Sequence, residues 1–163
     1  LWNFSTHLPG PLALGWAFKA SSTIDSMIGY KYGRMRWLGT AGARLDDVLT
    51  WLPSRIVLIT LPLVSKSIFK MPYLVKAAWI DGSKDISPNA GISEAIFAYC
   101  ADVRMGGTNQ YKKKLMVKPT LAPNAPEASI QSIKKILTMT LRLEIFWLVM
   151  ISIALSTLSM SKF

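Results

Sequence analysis

The chain has 163 residues, with nineteen Lys and Arg against nine Asp and Glu, a hydrophobic fraction of 51% and a formal net charge of +10. That combination excludes an acidic, charge-rich disordered segment and is unusual for a freely soluble enzyme. A single histidine, His7, and a single cysteine, Cys100, leave an internal disulfide and a two-Cys two-His zinc site without enough ligands or partners, and any Cys-His or Ser-His-Asp arrangement would have to use His7.

The opening residues show no basic stretch ahead of a short apolar run, so no secretory signal is expected. Most charge falls in two polar blocks, 25–55 and 81–135. In the first, Leu45, Val48, Leu49 and Leu52 recur at helical spacing, Arg44, Asp47, Trp51 and Arg55 follow on another face, and Pro53 is expected to kink or end the helix. Residues 56–80 are hydrophobic, yet Lys66, Lys70 and Lys76 divide them and Pro62 and Pro72 interrupt them. Their longest uncharged run, Ile56 to Ser65, is too short to cross a bilayer, which predicts a re-entrant or interfacial hairpin with snorkelling lysines, or alternatively a kinked span.

In the second block, Ile92, Ala95, Ile96, Tyr99, Cys100 and Val103 predict an apolar helical stripe, opened by Ser87-Pro88-Asn89-Ala90-Gly91 and closed by Gly106-Gly107. Lys112, Lys113 and Lys114 form a basic run that near apolar segments faces anionic lipid more often than nucleic acid, and no nucleic-acid motif accompanies it. Pro119, Pro123 and Pro126 mark an irregular linker. Residues 136–163 read as a C-terminal membrane helix, because Ile145 to Ser161 runs seventeen residues without a charge, with Phe146 and Trp147 at one edge. The fold class is therefore mainly α: a polytopic membrane protein with amphipathic helices, loop motifs and a C-terminal transmembrane helix, forming one membrane-embedded unit over 1–163.

Adjacent Asp46 and Asp47 point about 100° apart on a helix, so each needs its own partner. One reading pairs Asp47 with Arg44 three residues earlier and leaves Asp46 solvated; the other has a carboxylate holding magnesium beside a phosphate. The Ser87 to Gly91 segment precedes a helix whose free N–H groups suit an anion, and Glu94 in the first turn serves either the helix dipole or metal or proton chemistry. Neither a P-loop nor a dinucleotide-binding glycine pattern occurs.

The blocks Ser22-Thr23-Ile24-Asp25-Ser26-Met27-Ile28-Gly29-Tyr30-Lys31, Ala43-Arg44-Leu45-Asp46-Asp47, Pro53-Ser54-Arg55, Ser87-Pro88-Asn89-Ala90-Gly91 with Glu94-Ala95, and Gly106-Gly107 with Asn109 and Tyr111 resemble, in order, those of adenosylcobinamide-phosphate synthase. The resemblance runs from about Gly10 onward and covers the later half of that family's longer chain. It implies a multi-pass cell-membrane enzyme of cobalamin biosynthesis, active on the cytoplasmic side, that joins aminopropanol phosphate to the side-chain carboxylate of adenosylcobyric acid with consumption of ATP and use of magnesium. Carried over by position, Asp25, Asp46, Asp47 and Glu94 handle protons or metal, with Asp46 and Asp47 as the metal ligands. Arg44, Arg55 and Arg104 bind phosphate or carboxylate, and Asn89, Gly91, Asn109 and Tyr111 shape the pocket. The implied partners are the corrinoid, the amino alcohol phosphate, the bilayer and a separate chain supplying the missing half. The alternative is a non-catalytic membrane remnant or scaffold subunit of the same family; the retained ionisable residues favour the enzyme.

Overall fold

A computed structural model describes residues 10–28, 36–65, 68–111 and 114–160. Its order is α1 (Pro11–Ile28), α2 (Arg36–Val64), a short 3-10 turn (Ile68–Lys70), α3 (Met71–Gly82), α4 (Pro88–Ala101), strands β1 (Met105–Tyr111) and β2 (Lys114–Leu121), and α5 (Ile130–Met160). The chain divides into two compact units, 1–53 and 54–163.

The first unit holds α1 and the first half of α2. The expected stripe on α2 is present as helix but is largely exposed: Leu45, Val48 and Leu52 are exposed and Leu49 is half-buried. Nor does α2 stop at a proline. It is helical over 29 residues, through Pro53 and Pro62, which corrects the expectation that Pro53 ends it and that Pro62 interrupts any helix there. Each proline removes one backbone hydrogen bond and costs about 3 kcal/mol in a helix interior. Against that, Leu58, Leu61 and Pro62 are buried on the second unit's core, and fully burying one leucine side chain returns about 1.5–3 kcal/mol. The stretch 56–80 is thus the end of α2, the turn and most of α3. A 25-residue segment, Thr40–Val64, is long and apolar enough to cross a membrane, so the relevant apolar length is set by the whole helix and exceeds the Ile56 to Ser65 run.

The second unit has one core, built from Leu58 and Leu61 of α2, Leu74 and Ala78 of α3, Ile92, Ala95, Ile96 and Cys100 of α4, and Met139 and Leu143 of α5. The predicted α4 stripe is buried except for Tyr99, which is half-buried. Helix α4 begins at Pro88, whose fixed φ suits a first helical position, after an extended Ser87. The Asn89-Ala90-Gly91 segment therefore lies within the helix, and Glu94 falls in its second turn, two corrections of one register.

The helix also ends earlier than expected. Asp102, at φ 56°, takes the left-handed position, and the N–H groups of Asp102 and Val103 donate to the carbonyls of Tyr99 and Ala98 at 3.3 and 3.0 Å. Buried Val103 completes this C-terminal motif. Gly106 and Gly107 instead open an antiparallel hairpin in which Gly107 faces Lys118 and Asn109 faces Met116, with a register shift between Met105 and Gly107. A Cβ on Gly106, whose φ is +82°, would lie 2.0 Å from the Pro119 carbonyl oxygen, so only glycine fits the bulge. The expected linker at Pro119 is therefore a strand; in a two-stranded sheet every strand is an edge and can carry a proline.

Helix α5 presents Ile136, Met139, Leu143 and Trp147 to the core, a stripe at steps of three and four. Its remaining faces carry exposed Leu137, Leu141, Leu148, Val149, Ile151 and Ile153. Its charges, Lys134, Lys135, Arg142 and Glu144, lie in its first half, and from Ile145 to Met160 it is uncharged, which matches burial of that part in lipid; Ile130–Thr157 is the second segment long and apolar enough to cross a membrane. The fold is mainly helical, with two candidate spans that include the expected C-terminal one.

Candidate functional site

Arg55 lies at the start of the second unit, next to its first residue, Ser54. Its Nη1 donates to Oδ1 of Asn89, which is buried in the first turn of α4, and to Oγ of Ser54 at 2.8 Å. The guanidinium also lies 5.2 Å from the ring centroid of Trp79 on α3, within cation–π range. This cluster joins the Pro53-Ser54-Arg55 block to the Ser87 to Gly91 block, and Trp79 is a contributor that sequence reasoning missed.

The cluster is held by an unusually close helix junction. A Cβ added to Gly91 would sit 2.2 Å from the Gly82 carbonyl oxygen, and one added to Gly82 would sit 2.5 Å from the Ile92 backbone. Gly91 therefore acts through close approach of α3 and α4. The segment between them is fixed by the Ser87 N–H donating to Asp85 Oδ1 at 3.1 Å and the Gly91 N–H donating to the Ser87 carbonyl at 2.9 Å.

Asp81, the last side chain of α3 before Gly82, is a second missed residue. It is buried and accepts from the Tyr99 hydroxyl at 2.6 Å and from Lys84 Nζ at 2.9 Å. Burial pushes its carboxyl up, but the hydrogen bonds from Tyr99 and Lys84, the Lys84 charge and the Ala122 N–H together hold it below the ordinary value. The Tyr99 hydroxyl is pushed up, by burial first and then by donating to that carboxylate. A lone carboxylate at the end of an apolar helix was the one sequence sign of this anchor, which ties α3 to α4 and to the turn after β2.

Other predicted residues lie apart from Arg55 and Asn89 in their contacts. Glu94 pairs with Lys118 of β2 at 3.4 Å, and Arg104 pairs with Glu127 at 2.5 Å. Arg104 and Glu127, with Gly106, Gly107, Thr108 and Thr120, line an open cleft of about 480 Å³ along the hairpin. Asn109 and Tyr111 are residues of β1, but their side chains lie outside the described ones, as does that of Asp25 on α1. Of the basic run, Lys112 and Lys113 lie outside the described residues. In the first unit, Asp46 is half-buried while Arg44 and Asp47 are exposed. Thr50 donates its hydroxyl back to the Asp46 carbonyl at 2.7 Å. Among the described residues, no three His, Cys, Asp or Glu side chains gather as a metal site.

The sequence matches the family model described as CobD/Cbib protein over residues 2–140. It is 41% identical over 124 residues to a cobalamin biosynthesis protein CobD of Synechocystis sp., covering 76% of this chain and 35% of that protein. Proteins of the same description from Mycobacterium tuberculosis and Yersinia enterocolitica are 37% and 33% identical, over 74% and 77% of this chain and 38% and 40% of theirs. The chain thus spans well under half the length of these curated relatives. No solved structure matches it significantly. The ordered blocks, two of them joined through Arg55 and Asn89, and the match over most of the sequence lead to one assignment: the chain belongs to the CobD/CbiB family.

Proposed function

We propose that the chain acts in cobalamin biosynthesis as the C-terminal part of a membrane amide synthase, joining aminopropanol phosphate to the side-chain carboxylate of adenosylcobyric acid at the expense of ATP. Its relatives are named cobalamin biosynthesis proteins. The observation that carries the reading within this chain is the Arg55–Asn89 contact, which brings a cation and a buried amide from two family blocks to one place.

A carboxylate is a poor acylating group. Attack of its oxygen on the terminal phosphorus of ATP, with departure of ADP, forms an acyl phosphate. The amine then attacks the acyl carbon, the carbon–oxygen bond to phosphate breaks, and the nitrogen loses a proton. In this reading Arg44, Arg55 and Arg104 hold phosphoryl or carboxylate oxygens. Asp25, Asp46, Asp47 and Glu94 orient the amine and take its proton, while Asn89, Gly91, Asn109 and Tyr111 shape the pocket. Glu94 and Arg104 are paired through partly exposed contacts, each worth about 0.2–1 kcal/mol, so a substrate ion can exchange for either partner at small cost. Magnesium, when bound, offsets charge on the phosphoryl oxygens. Asp46 and Asp47 fit it as one or two carboxylates beside substrate phosphates, the usual manner for that ion.

The reading requires both motif blocks to reach one aqueous face, the cytoplasmic one, where ATP is available. A full crossing by Thr40–Val64 would separate them, and its four charges, Arg44, Asp46, Asp47 and Arg55, favour a tilted or interfacial position instead. The rest of the pocket comes from the N-terminal portion of the family's chain, in the same polypeptide or as a separate partner.

The test is complementation of a strain lacking the synthase, with this chain joined to the N-terminal portion of a relative. Asp47→Asn, Glu94→Gln and Arg55→Gln should each abolish growth at unchanged membrane accumulation. Wild-type growth of all three would overturn the reading. For topology, single cysteines at positions 40 and 84 in a Cys100→Ser background should both resist an impermeant reagent applied to intact cells, and labelling of just one would exclude the shared face.

A further inference from the structure

A cavity of about 410 Å³ lies in the second unit, between the start of α3, the end of α4, the turn after β2 and the first part of α5. Lys70, Tyr73, Tyr99, Asp102, Asn124 and Lys135 supply its polar lining. It shares none of its lining with the Arg55–Asn89 cluster or with the cleft along the hairpin.

The lining is cationic in balance, two lysines against one aspartate. Among the described residues neither lysine has a carboxylate partner: the ion pairs of this unit are Lys84 with Asp81, Arg104 with Glu127 and Lys118 with Glu94. Lys135 donates to the Ala101 carbonyl at 2.8 Å, which fixes one of its three N–H groups and leaves two to bind elsewhere. That bond positions the ammonium at the cavity wall. Tyr99 is committed to Asp81, and the Tyr73 ring meets it edge-to-face at 6.4 Å, so the two rings form one aromatic wall. Cys100 contributes a buried thiol and brings no charge at neutral pH.

We infer that this cavity binds a phosphate group between Lys70 and Lys135, with Asn124 and the rim of Tyr73 completing the contacts. Two ammonium groups lining one cavity, neither in an ion pair among the described residues, attract a multiply charged anion more than a single carboxylate, because each adds a charge-assisted hydrogen bond. The phosphate has two chemical sources. One is a small soluble phosphomonoester, which the cavity volume accommodates. The other is the headgroup of an anionic lipid, available because Lys135 lies on the helix that is apolar enough to enter a bilayer. The site uses none of the residues assigned to the ligase reading, whose amino alcohol phosphate is itself a phosphomonoester, and its test reads binding by this chain whether or not an amide bond is formed.

The experiment is lysine acetylation footprinting, read by mass spectrometry, on the full chain in phosphatidylcholine nanodiscs titrated with inorganic phosphate at constant ionic strength. Lys70 and Lys135 should become protected together along one binding curve, while Lys134, exposed on α5 and outside the cavity, should not. Lys70→Gln removes a side chain with no hydrogen bond among those described, so the fold is kept, and it should weaken phosphate protection of Lys135 about tenfold. Protection by inorganic phosphate assigns a soluble ligand. Protection that is absent there but present in phosphatidylglycerol nanodiscs assigns a lipid headgroup. Failure of both, or equal protection of Lys134, overturns the site.

Discussion

Asp81 is where a single side chain does most to join elements, since Tyr99, Lys84 and the Ala122 N–H all converge on its carboxylate. Its folded pKa lies below the ordinary value of 3.8. Its contribution to stability is therefore complete at pH values above the ordinary one and is lost as pH falls from there through the lower folded value. Tyr99 is shifted the other way, so its contribution is complete below the ordinary tyrosine value of 10.0 and is lost only as pH rises through the higher folded value. Urea denaturation in detergent at neutral pH and at successively lower pH should show the wild type losing more stability than Asp81→Asn over the acidic range. Parallel pH profiles for the two proteins would mean that Asp81 is not the titrating anchor. Little of this was visible beforehand: Arg55 and Asn89 stood out through their blocks, whereas Asp81 ties α3 to α4 through Tyr99, 18 residues on, and Trp79 gains its role from Arg55 on another helix.

Among the elements, the α3–α4 junction and α5 make opposite demands on side-chain size. Gly91→Ala forces a methyl to within 2.2 Å of the Gly82 backbone oxygen and 2.6 Å of the Asp85 Cβ, neither of which is the far end of a flexible side chain. The expected loss is about 1–3 kcal/mol, the range typical of overpacking, measured as a lower denaturation midpoint in detergent. Gly15→Ala is the control, because a Cβ there meets nothing within 4 Å and α1 should if anything gain helix stability. A Gly91→Ala protein as stable as the wild type would show that the junction is looser than described. On α5, Leu148 is 66% exposed in the middle of an apolar helix. Leu148→Arg should reduce membrane insertion, at a cost of about 2.5–3.5 kcal/mol for a charge near a helix centre, whereas Leu148→Ala should insert normally. A glycosylation-site insertion assay reads the difference, and equal insertion of both variants would remove the case for lipid around this face.

For the whole molecule, two helices long and apolar enough to cross a membrane and extended apolar surface on α1, α2 and α5 predict that the chain stays with membranes under alkaline carbonate and leaves them only with detergent. Recovery of intact chain in the carbonate supernatant would falsify membrane integration. The charge of +10 adds attraction to anionic headgroups, but attraction of that kind is released by high salt, so salt and carbonate washes separate the two contributions.

The amino-acid sequence alone determined the helical class, the C-terminal apolar helix and the α4 core stripe, since periodicity and uncharged length are local properties that lipid and core both read directly. It also determined the family, because ordered blocks survive in sequence whatever their spatial arrangement. Tertiary structure alone decided the rest. Pro53 and Pro62 lie within one helix, where burial of Leu58, Leu61 and Pro62 offsets the lost backbone bonds, a balance that propensity cannot weigh. The hairpin over 105–121 was hidden by glycines, lysines and Pro119, residues disfavoured in strands; the Gly106 bulge and cross-strand pairing make them acceptable. The end of α4 at Asp102, rather than at the glycines, follows from buried Val103 closing the C-terminal motif, and the approach of Gly82 to Gly91 exists only once two helices have met.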